Sequence, residues 1–181
     1  HRLAFFLAIT LLIFSSTWWW LVQIGRQSWG WSVPMAMSPT VVHAAVMSMG
    51  FFPLFFAGFL FTASPKWLGV PPPNTQSLLP SLGLQGTGWL LWLIGAVWSN
   101  RLAWTGMLLA TAGLLAMYTL FWRMVQRSDA DDRLHAKIVS IAGGVGICVL
   151  LGAQSALWLG QTDLALLAIR TGLWGFVVTT Y

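Results

Sequence analysis

VVHAAVMSMGFFPLFFAGFLFTA, residues 41–63, is the stretch whose reading decides the fold. It holds a single ionisable side chain, His43, and a single proline, Pro53. A bilayer core about 30 Å thick is crossed by roughly 20 apolar residues in a helix. The stretch lacks the period-two polar alternation of a membrane barrel. In hydrocarbon each backbone N–H and C=O must be paired within its own segment, so a transmembrane helix is the natural form. Pro53 has no N–H to donate and is expected to kink that helix.

Outward from this stretch the same pattern recurs. Leu3–Ile24 precedes it, and Leu82–Trp98, Leu102–Met124, His135–Leu159 and Leu164–Tyr181 follow, the last cut short. The expected fold is therefore an all-α polytopic bundle of about six spans. Leu3–Ile24 is too long for a signal-peptide core, and no A-x-A-like site follows it. Between the second and third runs, Ser64–Ser81 contains Pro71, Pro72 and Pro73 and reads as a stiff, extended connector. Ala136, Ser140 and Gly144 recur every fourth residue and suggest a small face for close helix approach.

Composition agrees. Apolar residues make up 57% of the chain and charged residues 7%, against roughly a quarter charged in soluble domains. The net charge of +5 does not indicate nucleic acid, because the basic residues stand singly between apolar runs. Arg2, Lys66, Arg123, Arg127, Arg133 and Lys137 fall on one side of the expected topology, Arg26 and Arg101 on the other. That bias makes the N-terminus cytoplasmic in a bacterial-type inner membrane. Trp18, Trp19, Trp20, Trp29 and Trp31 then lie near the outer interface, where amphipathic rings are favoured.

The chemistry available is sparse. The four acids are all aspartates and there is no glutamate. No GxSxG, HExxH or Walker sequence occurs, so hydrolysis is not indicated. Asp129, Asp131 and Asp132 neighbour Arg127, Arg133 and Lys137 and are expected to cap the fifth helix. The lone Cys148 excludes an intrachain disulfide. His1 and His135 fall at a boundary, where solvated histidines are ordinary. His43 differs: it stands roughly 5 Å inside its span, and neutral imidazole is the commonest metal or haem ligand. Met47 shares its face four residues on, with Met35, Met37 and Met49 nearby, an arrangement of soft donors that suits Cu(I) or plain packing. Arg170 lies roughly 9 Å deep in the last run and calls for an anionic partner such as a haem propionate or substrate anion, or else snorkels outward.

The run His43–Gly69, HAAVMSMGFFPLFFAGFLFTASPKWLG, resembles the signature of the NnrS family. The matching positions are His43, Met47, Gly50, Gly58, Phe59, Leu60, Thr62, Ala63, Trp67 and Gly69. The opening His1–Ala8 and the ending Leu173–Tyr181 are similar to the family's as well. The resemblance implies the N-terminal half of a protein of about twelve helices, the remaining C-terminal helices being its partners. It also implies haem and copper, a part in bacterial responses to nitric oxide, and an association with denitrification. Where the family pattern has a second histidine and a glutamate, this chain has Ala45 and Val46, so His43 alone carries over as a ligand. A haem-binding, non-catalytic role is the first expectation. A permease for a small anion or metal species is the alternative, and a nitric oxide redox enzyme ranks last because ligands are too few.

Overall fold

The computed structural model describes residues 2–27 and 34–180. The expected positions of His1, Trp29 and Trp31 lie outside them. Every regular element among the described residues is helical: α1 (Arg2–Gln27), α2 (Pro39–Ala45), α3 (Phe52–Leu68), α4 (Thr75–Trp98), α5 (Asn100–Arg127), α6 (Leu134–Trp158) and α7 (Thr162–Gly172). π-helical segments, Val46–Phe51 and Leu173–Val178, join α2 to α3 and extend α7. Six continuous helical units result. Four of them, α1, Pro39–Leu68, α5 and α6, are long and apolar enough to cross a membrane.

Pro39–Leu68 is the central unit, packed against α1, α4, α5 and α7. Helix α1 runs antiparallel to it, with Phe5 meeting Phe55 and Phe59 at one end and Trp19 meeting His43 at the other. The residues α1 buries are Ala4, Ala8, Leu11, Ser15, Val22 and Gly25, three, four or seven apart along one stripe. Phe6, Ile9, Ile13 and Trp20 point outward, each more than half exposed. A helix that hides its small residues and presents its largest apolar ones is dressed for lipid.

The tightest pairing is the α4–α5 hairpin, turned at Ser99 alone. A Cβ at Gly106 would stand 2.5 Å from the Gly88 carbonyl oxygen and 2.5 Å from the Trp92 nitrogen. One at Gly113 would stand 2.8 Å from the Gln85 nitrogen. Small residues thus bring the two backbones into contact, as dispersion-driven packing in membranes favours.

Two expectations are corrected, and the one at Pro53 takes a definite form. The connector between the second and third units is not Ser64–Ser81. α3 continues to Leu68 and stops at Gly69, whose φ of 63° ends the helix in the left-handed region. The Asn74 side chain then accepts from Gln76 N–H at 3.1 Å and starts α4 at Thr75, with Pro80 tolerated inside the helix. The small face Ala136–Ser140–Gly144 is not a close-packing face either, for space at Gly144 is open. α6 instead packs Gly143 on Tyr118 and Gly146 on Phe176. Finally, Pro53 acts through the turn before it. Its ring would crowd the Met49 carbonyl, and the wider Val46–Phe51 segment takes up the conflict.

The loop before α6 is fastened rather than loose. Buried Ser128 donates its hydroxyl to the Leu68 carbonyl at 2.6 Å and accepts from Ala130 N–H at 3.2 Å. Arg133 donates to the Ser128 carbonyl at 2.7 Å. Asp132 accepts from Leu134 N–H, the first of α6, at 3.0 Å, while the N-cap residue Arg133 makes no side-chain cap.

Candidate functional site

The site builds up from the junction of α2 with the π segment. Pro39, in the first turn, presets the φ that starts a helix, and Ala36 and Met37 N–H groups both donate to the Ala96 carbonyl, at 2.9 and 3.2 Å. The approach to α2 is thereby tied to the end of α4. Trp92, fully buried on α4, donates its indole N–H to the Val42 carbonyl at 3.3 Å. That bond falls one residue before His43, where the helix is about to widen. π segments are frequent at functional sites because they re-aim the side chains around them.

His43 is half-buried. Its ring lies flat on Trp19, centroids 4.4 Å apart and planes 14° from parallel. On the same indole ring rests the Arg26 guanidinium, 5.8 Å from the centroid. The imidazole Nδ1 is shielded from solvent and has no hydrogen-bond partner among the described residues. A buried polar atom without a partner costs about 1–3 kcal/mol, which gives it reason to bind something.

One turn along, Met47 also faces α1. Its sulfur lies 3.3 Å from the hydroxyl of Ser15, which is fully buried. The pairs Trp19–His43 and Ser15–Met47 place an imidazole and a thioether on one seam between α1 and the central unit. Met35, Met37 and Met49 pack against or within the core nearby. Among the described residues no group of three His, Cys, Asp or Glu side chains converges to hold a metal ion. What the chain presents fits a group that takes one imidazole, with one thioether close by.

Arg170 takes the outward course. α7 buries Ala165, Ile169 and Gly172, with Gly172 against Met49 of the π segment, and this rotation leaves the Arg170 side chain exposed. The helix carrying it touches α2, but its guanidinium is not inside the bundle. His135 is exposed, edge-on to Trp67 at 6.4 Å. Three participants were not anticipated: Trp19 as the ring beneath His43, Trp92 as the donor to Val42, and Ser15 beside Met47. Only the antiparallel pairing of α1 with the central unit reveals the first and third.

Fold and site together define an all-helical membrane protein with a lone imidazole at the end of its central helix. A family model described as NnrS protein matches residues 1–180, and the chain belongs to the NnrS family. No curated protein and no solved structure matches it.

Proposed function

We propose that this chain is a haem-binding protein of the bacterial inner membrane that helps cells withstand nitric oxide, in the setting of denitrification, without itself being an enzyme. The observation that carries the reading is the His43 Nδ1 atom, buried and without a partner on a π-distorted helix. Haem iron bound there would supply a centre for nitric oxide. The chain's own residues do the rest. Trp19 fixes the ring plane of His43, and Trp92 holds the Val42 carbonyl and with it the start of the π segment. Met47, drawn to Ser15, is the soft donor nearest in sequence, and a Cu(I) ion sharing His43 and Met47 is the lesser form of the same proposal. Arg170, exposed on the helix that packs against α2, is a candidate partner for a haem propionate. With the six-to-two basic bias, the N-terminus is cytoplasmic and His43 faces the periplasmic leaflet.

The test is a visible spectrum of the full-length protein in detergent, oxidised and reduced, with iron and copper analysis, repeated for His43→Ala. A Soret band with stoichiometric iron that the substitution abolishes or shifts is the expected result. Colourless protein after expression with ample haem would overturn the proposal.

One observation favours a second reading, transport of a small anion or metal species. The two π segments pack against each other inside the bundle, and such widened turns are frequent at functional sites. Nitrite flux into proteoliposomes that falls in Arg170→Ala would select it.

A further inference from the structure

At the end of the bundle opposite His43, a half-open cavity of about 860 Å³ lies between α3, α6 and the last turn of the chain. Its walls are aromatic, formed by Phe55, Phe56, Phe59, Trp67 and Phe121. The polar lining is brief: Ser64, Asp132, His135 and Thr180. Small-molecule sites have this composition and fall in the range of roughly 300–1,000 Å³, mostly apolar with a few placed polar groups. The Thr180 hydroxyl is shielded from solvent and lies beside the hydroxyl of buried Tyr118.

We propose that this cavity binds a membrane-soluble quinone, a flat ring bearing two carbonyls on an apolar tail. The two carbonyl oxygens need donors, and the wall offers the His135 imidazole and the hydroxyls of Ser64 and Thr180. Flat rings stack well on phenylalanine and tryptophan. Charge decides against the rival amphipaths. Among the described residues the acidic side chain lining the cavity is Asp132, and no lysine or arginine lines it. A phosphate or carboxylate head would therefore meet a like charge without a counter-ion, whereas a neutral quinone head meets none. The bilayer is where such a molecule is dissolved, and the cavity opens at exposed Trp67 and Phe59.

The experiment is photolabelling of the full-length protein in phosphatidylcholine nanodiscs with an azidoquinone, mapped by peptide mass and competed with decylubiquinone. Saturable labelling within residues 55–67 or 132–139, lost on competition, is expected. Filling the cavity from either wall, by Ala63→Phe or Ala136→Phe, should weaken binding at least about tenfold, roughly 1.4 kcal/mol. Thr180→Val, which keeps the shape and removes the donor, should weaken it several-fold, while Cys148→Ser, outside the cavity, leaves it unchanged. Labelling that does not saturate, or that spreads over the lipid face of α1, overturns the proposal. So does labelling indifferent to both fillings, or phospholipid retained in the cavity through excess decylubiquinone.

Discussion

Gly106→Ala is expected to loosen the molecule in a way that a single methyl group rarely does. The added carbon would stand 2.5 Å from the Gly88 oxygen, 2.5 Å from the Trp92 nitrogen and 2.9 Å from the Leu91 carbonyl carbon. All three are backbone atoms, so no flexible side chain can swing aside. Comfortable contact between heavy atoms is about 3.5–4.0 Å, so α4 and α5 must part by about 1 Å at this point, forfeiting up to about half the dispersion between neighbouring atoms. Overpacking of this kind costs about 1–3 kcal/mol, offset by up to about 1 kcal/mol of alanine's helix preference over glycine. The matched control is Gly144→Ala, where the added carbon meets nothing within 4 Å and only the helix preference remains. Unfolding in mixed micelles by titrated dodecyl sulfate should place Gly106→Ala below the parent and Gly144→Ala at or above it. Because the crowded atoms include Trp92, the same change should also disturb its bond to Val42 and so the neighbourhood of His43. Equal stability for the two variants would refute the close approach of α4 and α5.

Other expectations follow from single contacts. Ser128→Ala removes the donor to the Leu68 carbonyl and should cost about 1–3 kcal/mol for the buried acceptor left behind, read in the same micelle titration; a neutral result would mean that water replaces the hydroxyl. Trp19→Leu uncovers the face of the His43 ring that the indole now shields, so modification of His43 by diethylpyrocarbonate, followed by mass spectrometry, should accelerate; an unchanged rate would place the accessible edge elsewhere. In a Cys148→Ser background, cysteines at Asp131 and Gln161 should react with an impermeant maleimide from opposite faces of the membrane, Gln161 from outside intact cells. Labelling of Asp131→Cys in intact cells would reverse the assigned orientation.

The helices were legible wherever apolar length alone decides, and less so where local chemistry decides. Apolar runs located α1, the central unit, α5 and α6, because hydrocarbon thickness sets a length that sequence displays directly. The start of α4 is masked in the sequence by Pro71–Pro73 and by the polar first turns Thr75–Ser77 and Ser81, which carry no apolar run. An asparagine cap just after a proline run was the available signal. The close-packed hairpin had a signal too: Gly88 and Gly95 lie seven apart, as do Gly106 and Gly113, on consecutive helices, and Gly88 meets Gly106 while Gly95 meets Ala103. The stripe Ala136–Ser140–Gly144 showed the same regularity, but among the described residues nothing stands close to Gly144. Regular spacing states that a face is small, and only the neighbour's own small face decides whether backbones meet there.

The site divides along a similar line. His43 stood out because an ionisable side chain inside a span is costly and so demands a reason, and its four-residue spacing to Met47 put both on one face, which in the fold lies against α1. Arg170 stood out by the same rule, but α7 presents it outward because Ala165, Ile169 and Gly172 are the residues small or apolar enough to pack. Depth along a helix can be counted from sequence; rotation about the helix axis depends on which face the neighbours accept. For His43 that rotation is governed by Pro53, ten residues away. By shifting hydrogen bonds from i+4 to i+5 through Val46–Phe51, the proline turns the helix that follows relative to the one that bears His43. Replacing Pro53 with alanine should let the segment close to a regular α-helix, raising the helical signal in circular dichroism and turning Met47 away from Ser15; an unchanged spectrum would mean that the wider turn does not depend on the proline.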